Sequence, residues 1–425
     1  MGCSRMPAGT VHVIGAGLAG LSAAVRLTEA GRKVVVHELA RFAGGRCRSF
    51  HEPALGIAID NGNHLVLSGN HAALAHLDIV GARHMLVGPP HCEFPFADLA
   101  AGTCWALRPN DSALPWWIFS RSRRVPGTGV AEHLALAKLL SAKPHQTIGE
   151  VIRCSGPLYD KLLRPVLLSA LNFDPPEASA VLAGQIVRET LAKGGLATRP
   201  LIAAEGLGPV FIDSSLAWLA RHGTEVRFDR PLRQLELADD RAGALVFADD
   251  RVALGPEDAV VLAVPAWVAR SLLPAISTPA RFTAILNAHF AVPPPPGQPR
   301  ILGVVKATTE WLFSFHNRLS VTVSGADRFN EAEREPLARS IWAEVAALTG
   351  LDAAKIPPWV LVKERRATFA ATPEENARRP GPATRWRNVT LAGDWTATGL
   401  PSTIEGSIRS GVSAAREVAR MPAPR

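Results

Sequence analysis

Val11 to Ile14 is a short unbroken apolar run, followed by a glycine-rich turn and a segment with Leu18, Leu21 and Val25 on one helical face. Gly31 closes that segment, and Lys33 to His37 is again apolar, as expected of a strand buried on both faces. The chain therefore opens as a βαβ unit with parallel strands. From about Val66 to Thr198 the period becomes helical, with stretches such as HLALAKLLSA and LYDKLLRPVLLSAL, which predicts an inserted domain. Pro209 to Arg221 predicts another helix, and Glu225 to Leu237 and Ala259 to Val264 predict strands that rejoin the first sheet.

The run VPPPPGQP at Val292 to Pro299 is a stiff polyproline loop, and Ile301 to Val323 alternates as antiparallel strands do. A second insertion runs from Trp267 to Arg378, and RRPGPATRWRN marks the return to the first sheet. The expected division is a discontinuous nucleotide-binding domain of residues 7–65, 200–266 and 379–421, with a substrate domain of residues 66–199 and 267–378. The fold class is α/β, a Rossmann-like domain carrying a discontinuous mixed α+β substrate domain.

At 425 residues the chain is long enough for two domains, and 47% hydrophobic with 20% charged residues makes it globular. Five cysteines without a CxxC pair indicate neither a disulfide framework nor a zinc ribbon and fit a reducing cytosol. A net charge of +8 suits nucleic acid or an anionic membrane surface. With no nucleic-acid recognition motif present, the membrane is favoured and nucleic acid is not expected. No run of 18 apolar residues occurs, so a peripheral attachment is expected rather than a span. Met1-Gly2 resembles an acylation start, but Met6 stands where Ser or Thr is required, and Met6 is itself a possible initiator.

Gly15, Gly17 and Gly20 form GxGxxG between a strand and a helix. The first permits the tight turn, the second admits a pyrophosphate to the backbone amides, and the third allows close helix–strand packing. Glu38 lies 18 residues after Gly20, where a carboxylate accepts ribose hydroxyls and repels a 2′-phosphate. Gly44, Gly45 and Arg46 then make a second glycine turn with a cation, suited to the pyrophosphate of a longer dinucleotide. Here the chain resembles the amine oxidase and carotenoid desaturase superfamily, whose first motif continues into GGR and whose cofactor is FAD.

More than three hundred residues later, VTLAGDWTATGLPSTIEGSIRSG completes the resemblance. It implies that Asp394, after Gly393, contacts the ribityl-pyrophosphate part of FAD, and that the following helix points its N-terminus at the flavin. That helix dipole favours negative charge on a reduced flavin. Leu232 and Ile404 complete the candidate cofactor-binding set. Ser402-Thr403-Ile404-Glu405 also reads as a capping box, which would occupy Glu405 in capping.

The strings GGRCRSF, IDNGNHLVLSGNH, LRPNDSALPWWIF, SALNFDPPEASA and VKERRATFAATPEENARRPG resemble the hydroxysqualene dehydroxylases, squalene-associated FAD-dependent desaturases of bacterial hopanoid pathways. The likeness runs from Val11 to Val418. It implies reductive replacement of an allylic hydroxyl in a C30 isoprenoid, with hydride from reduced flavin N5. It also implies synthases that supply hydroxysqualene, and a cytoplasmic place on the inner membrane. Hydroxide is a poor leaving group, since water has a pKa of about 15.7, so an acid or strong donor must assist its departure.

Candidates for that donor are Asp60, His64 and Glu405, each with an alternative in holding a turn, a structural hydrogen bond or a helix cap. Arg365 and Arg366 are placed either at the site mouth or on the surface. LPWWIF followed by Arg121, Arg123 and Arg124 reads either as an interfacial anchor or as a buried turn with a solvated basic end. Six histidines between His51 and His91 lack ligand spacing, so no metal is expected. The single tyrosine, Tyr159, disfavours an amine oxidase with a tyrosine cage. Two rivals remain: a carotenoid-type desaturase that removes hydride, and a prenyl-binding escort without redox chemistry. No second GxGxxG follows a strand, so the electron donor is a docking NAD(P)H or a separate reductase.

Overall fold

The structure, a computed structural model, describes residues 9–421. Cys3 and the alternative starts Met1 and Met6 lie outside the described residues. Strand Thr10–Ile14 pairs in parallel with Lys33–His37 on one side and Ala259–Leu262 on the other. Glu225–Arg227 and Val389–Leu391 form the two edges of this five-stranded parallel sheet. Both ends of the chain therefore enter one sheet, as a split nucleotide fold requires.

One face of the sheet is covered by helices Leu18–Glu29 and Ile404–Ala419, which pack directly on each other. Gly411 makes the approach possible, because a Cβ there would lie 2.3 Å from Ala19 O. Ser22 Oγ donates to Ile408 O at 3.1 Å and fixes the register of the pair. The opposite face carries His12 and His37, covered by the antiparallel meander Leu232–Leu237, Ala242–Phe247 and Arg251–Ala253. The His37 ring stacks on Phe247 at 4.8 Å, and His12 Nδ1 lies 3.1 Å from His37 Nε2.

The stretch Glu225 to Leu237, expected to run into the first sheet, divides instead. Glu225–Arg227 stays in that sheet and Leu232–Leu237 leaves for the meander. Asp229 adopts φ +52° and Pro231 has no N–H to donate, so the strand cannot continue through them. The helix expected from Pro209 begins one residue earlier as a π-helical segment, Gly208–Asp213, and becomes α-helical over Ser214–Arg221.

The second layer is a seven-stranded mixed sheet in the order Trp359–Phe369, Phe282–Phe290, Leu319–Val323, Trp311–Ser314, Ile301–Val305, Phe94–Asp98, Thr103–Leu107. The run from Ile301 to Val323 forms three antiparallel strands, matching its alternation. Helix Arg334–Thr349 buries Ala338, Ile341, Trp342 and Val345 against one face, with Trp342 and Phe290 rings 5.1 Å apart. The helical segment from Val130 to Leu171 buries Leu136, Leu139, Ile148, Leu162 and Leu167 in a core shared with Phe94, Phe96 and Phe313 of the sheet.

The stretch just beyond Val66 stays with the nucleotide-binding core. Leu65–Leu67 and Leu86–Val87 both pair with Pro200–Ala203, and helix His71–Val80 packs against the C-terminal helix. Its Ala73, Leu74 and Leu77 are apolar on the face that meets that core.

Several histidines are buried without charge partners. Burial, with the nearby His12, Arg227 and Arg230, holds the His37 pKa at about 3; burial and Arg26 hold His76 at about 4; burial and Arg318 hold His289 at about 3. Unfolding returns each to about 6.5, so between 6.5 and 4 the unfolded chain binds protons that the fold refuses. The contribution to stability is complete above 6.5 and is lost as pH falls. The melting temperature should therefore decline steadily from pH 6.5 to pH 4, and His37→Phe, which stays apolar beside Phe247, should flatten that slope. A wild-type melting temperature independent of pH over this window would contradict the assignment.

Candidate active site

Three glycines of the first loop have three different reasons to be glycine. Gly15 has φ +105°, and a Cβ on it would lie 2.5 Å from Ala263 O. A Cβ on Gly20 would lie 1.9 Å from Gly15 O, so this glycine sets the helix against the strand. A Cβ on Gly17 would meet no protein atom within 4 Å. Gly17 is also the N-cap of helix Leu18–Glu29, with no side chain satisfying the first amides. Open space before uncapped amides at a helix N-terminus is what a pyrophosphate needs.

Glu38 Oε2 accepts from Ala16 N at 2.7 Å and Oε1 from Ala40 N at 2.9 Å. The carboxylate is thus locked at the end of its strand, and each oxygen keeps acceptor capacity for a ribose hydroxyl. Arg230 N donates to Glu38 O at 2.8 Å, which brings Leu232 to this end of the loop. Gly44 and Gly45, at φ +107° and +53°, turn the chain back beneath it, with Gly44 bridged to Gly17.

Arg46, at that turn, donates to Asp394 Oδ1 at 2.6 Å and to Ala367 O. The two halves of the signature, 348 residues apart, meet in this ion pair. Gly393 reaches φ +151°, and a Cβ there would lie 2.4 Å from Trp395 Nε1. Gly393 N donates to Ser410 Oγ at 2.8 Å, and Trp395 Nε1 to Val264 O at 2.8 Å. Helix Ile404–Ala419 follows, capped by Thr403 Oγ1, which accepts from Gly406 N at 3.0 Å. Beside this cap, the buried Ser402 Oγ has no protein partner. That orphan, the uncapped helix at Gly17 and the free acceptor capacity of Glu38 fit a bound dinucleotide.

The three candidate donors separate clearly. Asp60 is 2% exposed and accepts from Ser49 Oγ at 2.5 Å, Leu207 N at 2.8 Å and Arg318 Nη2 at 3.3 Å. Burial raises its pKa, and the bonds from Ser49 and Leu207 and the Arg318 cation offset part of that rise. It is enclosed, and its role is to tie the strand end to Arg318. Glu405 is 3% exposed and does not complete a capping box on its own helix. Its oxygens accept from Ala72 N at 3.1 Å and Ala73 N at 2.8 Å, the first turn of helix His71–Val80, and from Arg409 Nε at 2.7 Å. It caps a neighbouring helix, so both the expected capping box and a place among the donors give way to this cross-helix role.

His64 alone of the three is exposed. Protein still surrounds it on most sides, and burial with the Arg46 cation holds its pKa at about 4. Its loop is clamped from the second sheet: Asn63 Nδ2 donates to Thr322 Oγ1 at 3.1 Å, and Asn287 Nδ2 donates to Asn61 O at 3.3 Å. Arg365 and Arg366 are exposed, and the Arg366 guanidinium stacks on Trp267 at 4.7 Å. Among the described residues no cluster of three or more His, Cys, Asp or Glu could hold a metal.

A family model described as flavin containing amine oxidoreductase matches residues 18–419. The chain belongs to that family. It is 56% identical over 407 residues to a hydroxysqualene dehydroxylase of Rhodopseudomonas palustris, covering 96% of this chain and 97% of the relative. It is 51% identical over 405 residues to a hydroxysqualene dehydroxylase of Sinorhizobium fredii, covering 95% and 97%. The cyclohexylamine oxidase of Brevibacterium oxydans superposes with a TM-score of 0.70 at 17% identity, covering 97% of this chain and 99% of that one, which shows the common fold. The protein is an FAD oxidoreductase. The residues that could hold that FAD are Gly15, Gly17, Gly20, Glu38, Gly44, Gly45 and Arg46 at one end and the Gly393, Asp394 and Ile404 segment at the other.

Arg379 was not singled out by sequence. It is 7% exposed and donates to Asp394 O at 3.1 Å, to Thr398 Oγ1 at 3.0 Å and to Thr396 O, while stacking on Phe369 at 4.7 Å. Burial lowers its pKa to about 10, against the pull of Asp394. An arginine in a Pro/Gly-rich loop reads as solvated, and only the chain reversal reveals that it pins the AGDW turn. Gly17→Val should abolish flavin retention, read as loss of the flavin absorbance band, while the circular dichroism spectrum stays native. Full retention of flavin would show that the space before Gly17 is not the pyrophosphate site.

Proposed function

We propose that the protein converts hydroxysqualene to squalene by reductive dehydroxylation in hopanoid biosynthesis. The observation that carries this reading is the identity of 51–56% to hydroxysqualene dehydroxylases over at least 95% of the chain, with an intact FAD site. Reduced FAD, when bound, supplies the hydride that replaces the hydroxyl. Overall, the alcohol takes up one hydride and one proton, and leaves as hydrocarbon and water.

His64 is the group of this chain best placed to assist that departure. At neutral pH a histidine with a pKa of about 4 is uncharged. It therefore acts as a hydrogen-bond donor to the leaving oxygen rather than as a standing imidazolium, and the proton comes from solvent through the mouth of the cleft. An uncharged cleft wall also suits a hydrocarbon substrate better than a cation would.

Residues 7–65, 200–266 and 379–421 serve the cofactor in this reading, and residues 66–199 and 267–378 form the substrate side, with residues 66–87 packed on the cofactor side. Electrons come from NAD(P)H docking directly or from a separate reductase, and hydroxysqualene-forming synthases supply the substrate. No helix among the described residues is long and apolar enough to cross a membrane. In this reading the protein works in the cytoplasm, peripheral on the inner membrane.

The decisive experiment is anaerobic: flavin is reduced, hydroxysqualene is added, and flavin reoxidation is followed together with squalene. Stoichiometric reoxidation and squalene are expected; persistently reduced flavin with unchanged alcohol would overturn the activity. His64→Ala should slow single-turnover reoxidation by about 10²-fold or more without loss of flavin. An unchanged rate would remove His64 from the mechanism. Phytoene desaturation with no dehydroxylation would instead favour the carotenoid-type reading.

A further inference from the structure

Seven large hydrophobic side chains are exposed among the described residues, and five belong to one region: Leu114, Trp116, Phe119, Leu134 and Leu196. Trp116, Leu114 and Phe119 keep 64%, 63% and 60% of their surface exposed, although Trp117 and Ile118 between them are buried. The segment is therefore an anchored turn that presents alternate apolar residues outward.

Its rigidity has a specific source. Asn110 Nδ2 donates to Leu114 O at 2.8 Å and to Ser112 O at 3.0 Å, while its Oδ1 accepts from Trp117 N at 3.0 Å. Gly195 N donates to Asn110 O at 2.8 Å, which brings Leu196 to the same turn. Trp117 meets His133 edge-on at 5.2 Å, which brings Leu134 beside it. The Trp116 and Phe119 rings lie 6.1 Å apart.

Cations surround this collar. Residues 108–145 carry six Lys or Arg against two Asp or Glu, half of the excess positive charge of the whole chain. Arg121 and Arg123 are exposed and make no ion pair among the described residues. Exposed tryptophan, phenylalanine and leucine held rigidly beside unpaired arginines match the chemistry of an anionic bilayer surface: apolar tips enter the acyl boundary and guanidinium groups meet phosphates. A protein partner recognised through the same residues would need to be both apolar and acidic.

We propose that the collar Leu114, Trp116, Phe119, Leu134 and Leu196, with Arg121 and Arg123, is the surface by which the holoprotein docks on anionic phospholipid. The proposal deepens the membrane-peripheral reading above, and supplies a route for a water-insoluble substrate. It is tested without substrate, so its outcome is separate from that of the dehydroxylation assay.

The flavin-loaded protein is sedimented with phosphatidylcholine vesicles and with phosphatidylcholine–phosphatidylglycerol vesicles. Wild type should bind the anionic vesicles and bind the neutral ones weakly. Trp116→Ala/Phe119→Ala should lower binding to anionic vesicles about tenfold or more, and Arg121→Glu/Arg123→Glu should remove the preference for the anionic vesicles. Both variants should keep wild-type flavin content and melting temperature. Wild type that stays in solution with both vesicles would overturn the proposal, as would variants that bind as wild type does. A wild-type dimer that becomes monomeric in Trp116→Ala/Phe119→Ala, with no vesicle binding, would assign the surface to a second copy and equally overturn it.

Discussion

The pair between Arg46 and Asp394, at 2.6 Å, is the contact on which the site depends. It closes a loop of nearly the whole chain, and it does so by giving an enclosed carboxylate its cation. Asp394 has only 7% of its side chain accessible, while Arg46 faces the cleft and also donates to the strand Trp359–Phe369 through Ala367 O. Without Arg46 the enclosed Asp394 carboxylate would lose its cation, whereas Arg46, with 44% of its side chain accessible, could still be solvated. The N-terminal glycine turn, the C-terminal AGDW turn and the second sheet are thereby brought into one arrangement. Arg379 supports it from behind by binding the carbonyls of the same turn.

A second set of polar contacts sets how the two layers meet. Asp60 with Arg318, and Asn63 with Thr322 and Asn287, cross from the nucleotide-binding core to the second sheet. Apolar burial drives the layers together but is indifferent to direction. Buried hydrogen-bonding groups are not, because each left unpaired costs about 1–3 kcal/mol. Gly62 lies between these two pins, and His64 directly follows the second. The position of His64 thus follows from contacts made by its neighbours.

How much of this could be read from the chain depends on the range of the cause. The glycines and Glu38 act within one βαβ unit, so their spacing carries their chemistry, and GGR and AGDW carry the cofactor. The tryptophans and arginines after Leu114 read equally as an interfacial anchor or as a buried turn, and Leu134 and Leu196 join that exposed surface only through contacts made by His133 and Gly195. Glu405 illustrates the opposite case. Its position three residues into a Ser-Thr-Ile-Glu sequence suggests a local cap, yet its partners Ala72 and Ala73 lie more than three hundred residues away. Arg318 and Arg379 stand in stretches with no motif at all, and only burial against Asp60 and the AGDW turn distinguishes them from solvated arginines.

The fold shared with cyclohexylamine oxidase leaves the substrate class undecided, because one scaffold hosts unrelated chemistries through the side chains that line its site. The sole tyrosine of this chain is buried in the helical layer, so a tyrosine cage for an ammonium group cannot be assembled here. What lies here instead is a histidine kept neutral by its surroundings and an arginine paired with Asp394. Asp60 and Glu405 are both committed to structural partners. A neutral alcohol on a hydrocarbon chain needs only a hydrogen-bond donor at its oxygen and apolar walls elsewhere. The side chains at the site, and not the fold, therefore decide the substrate class within this architecture.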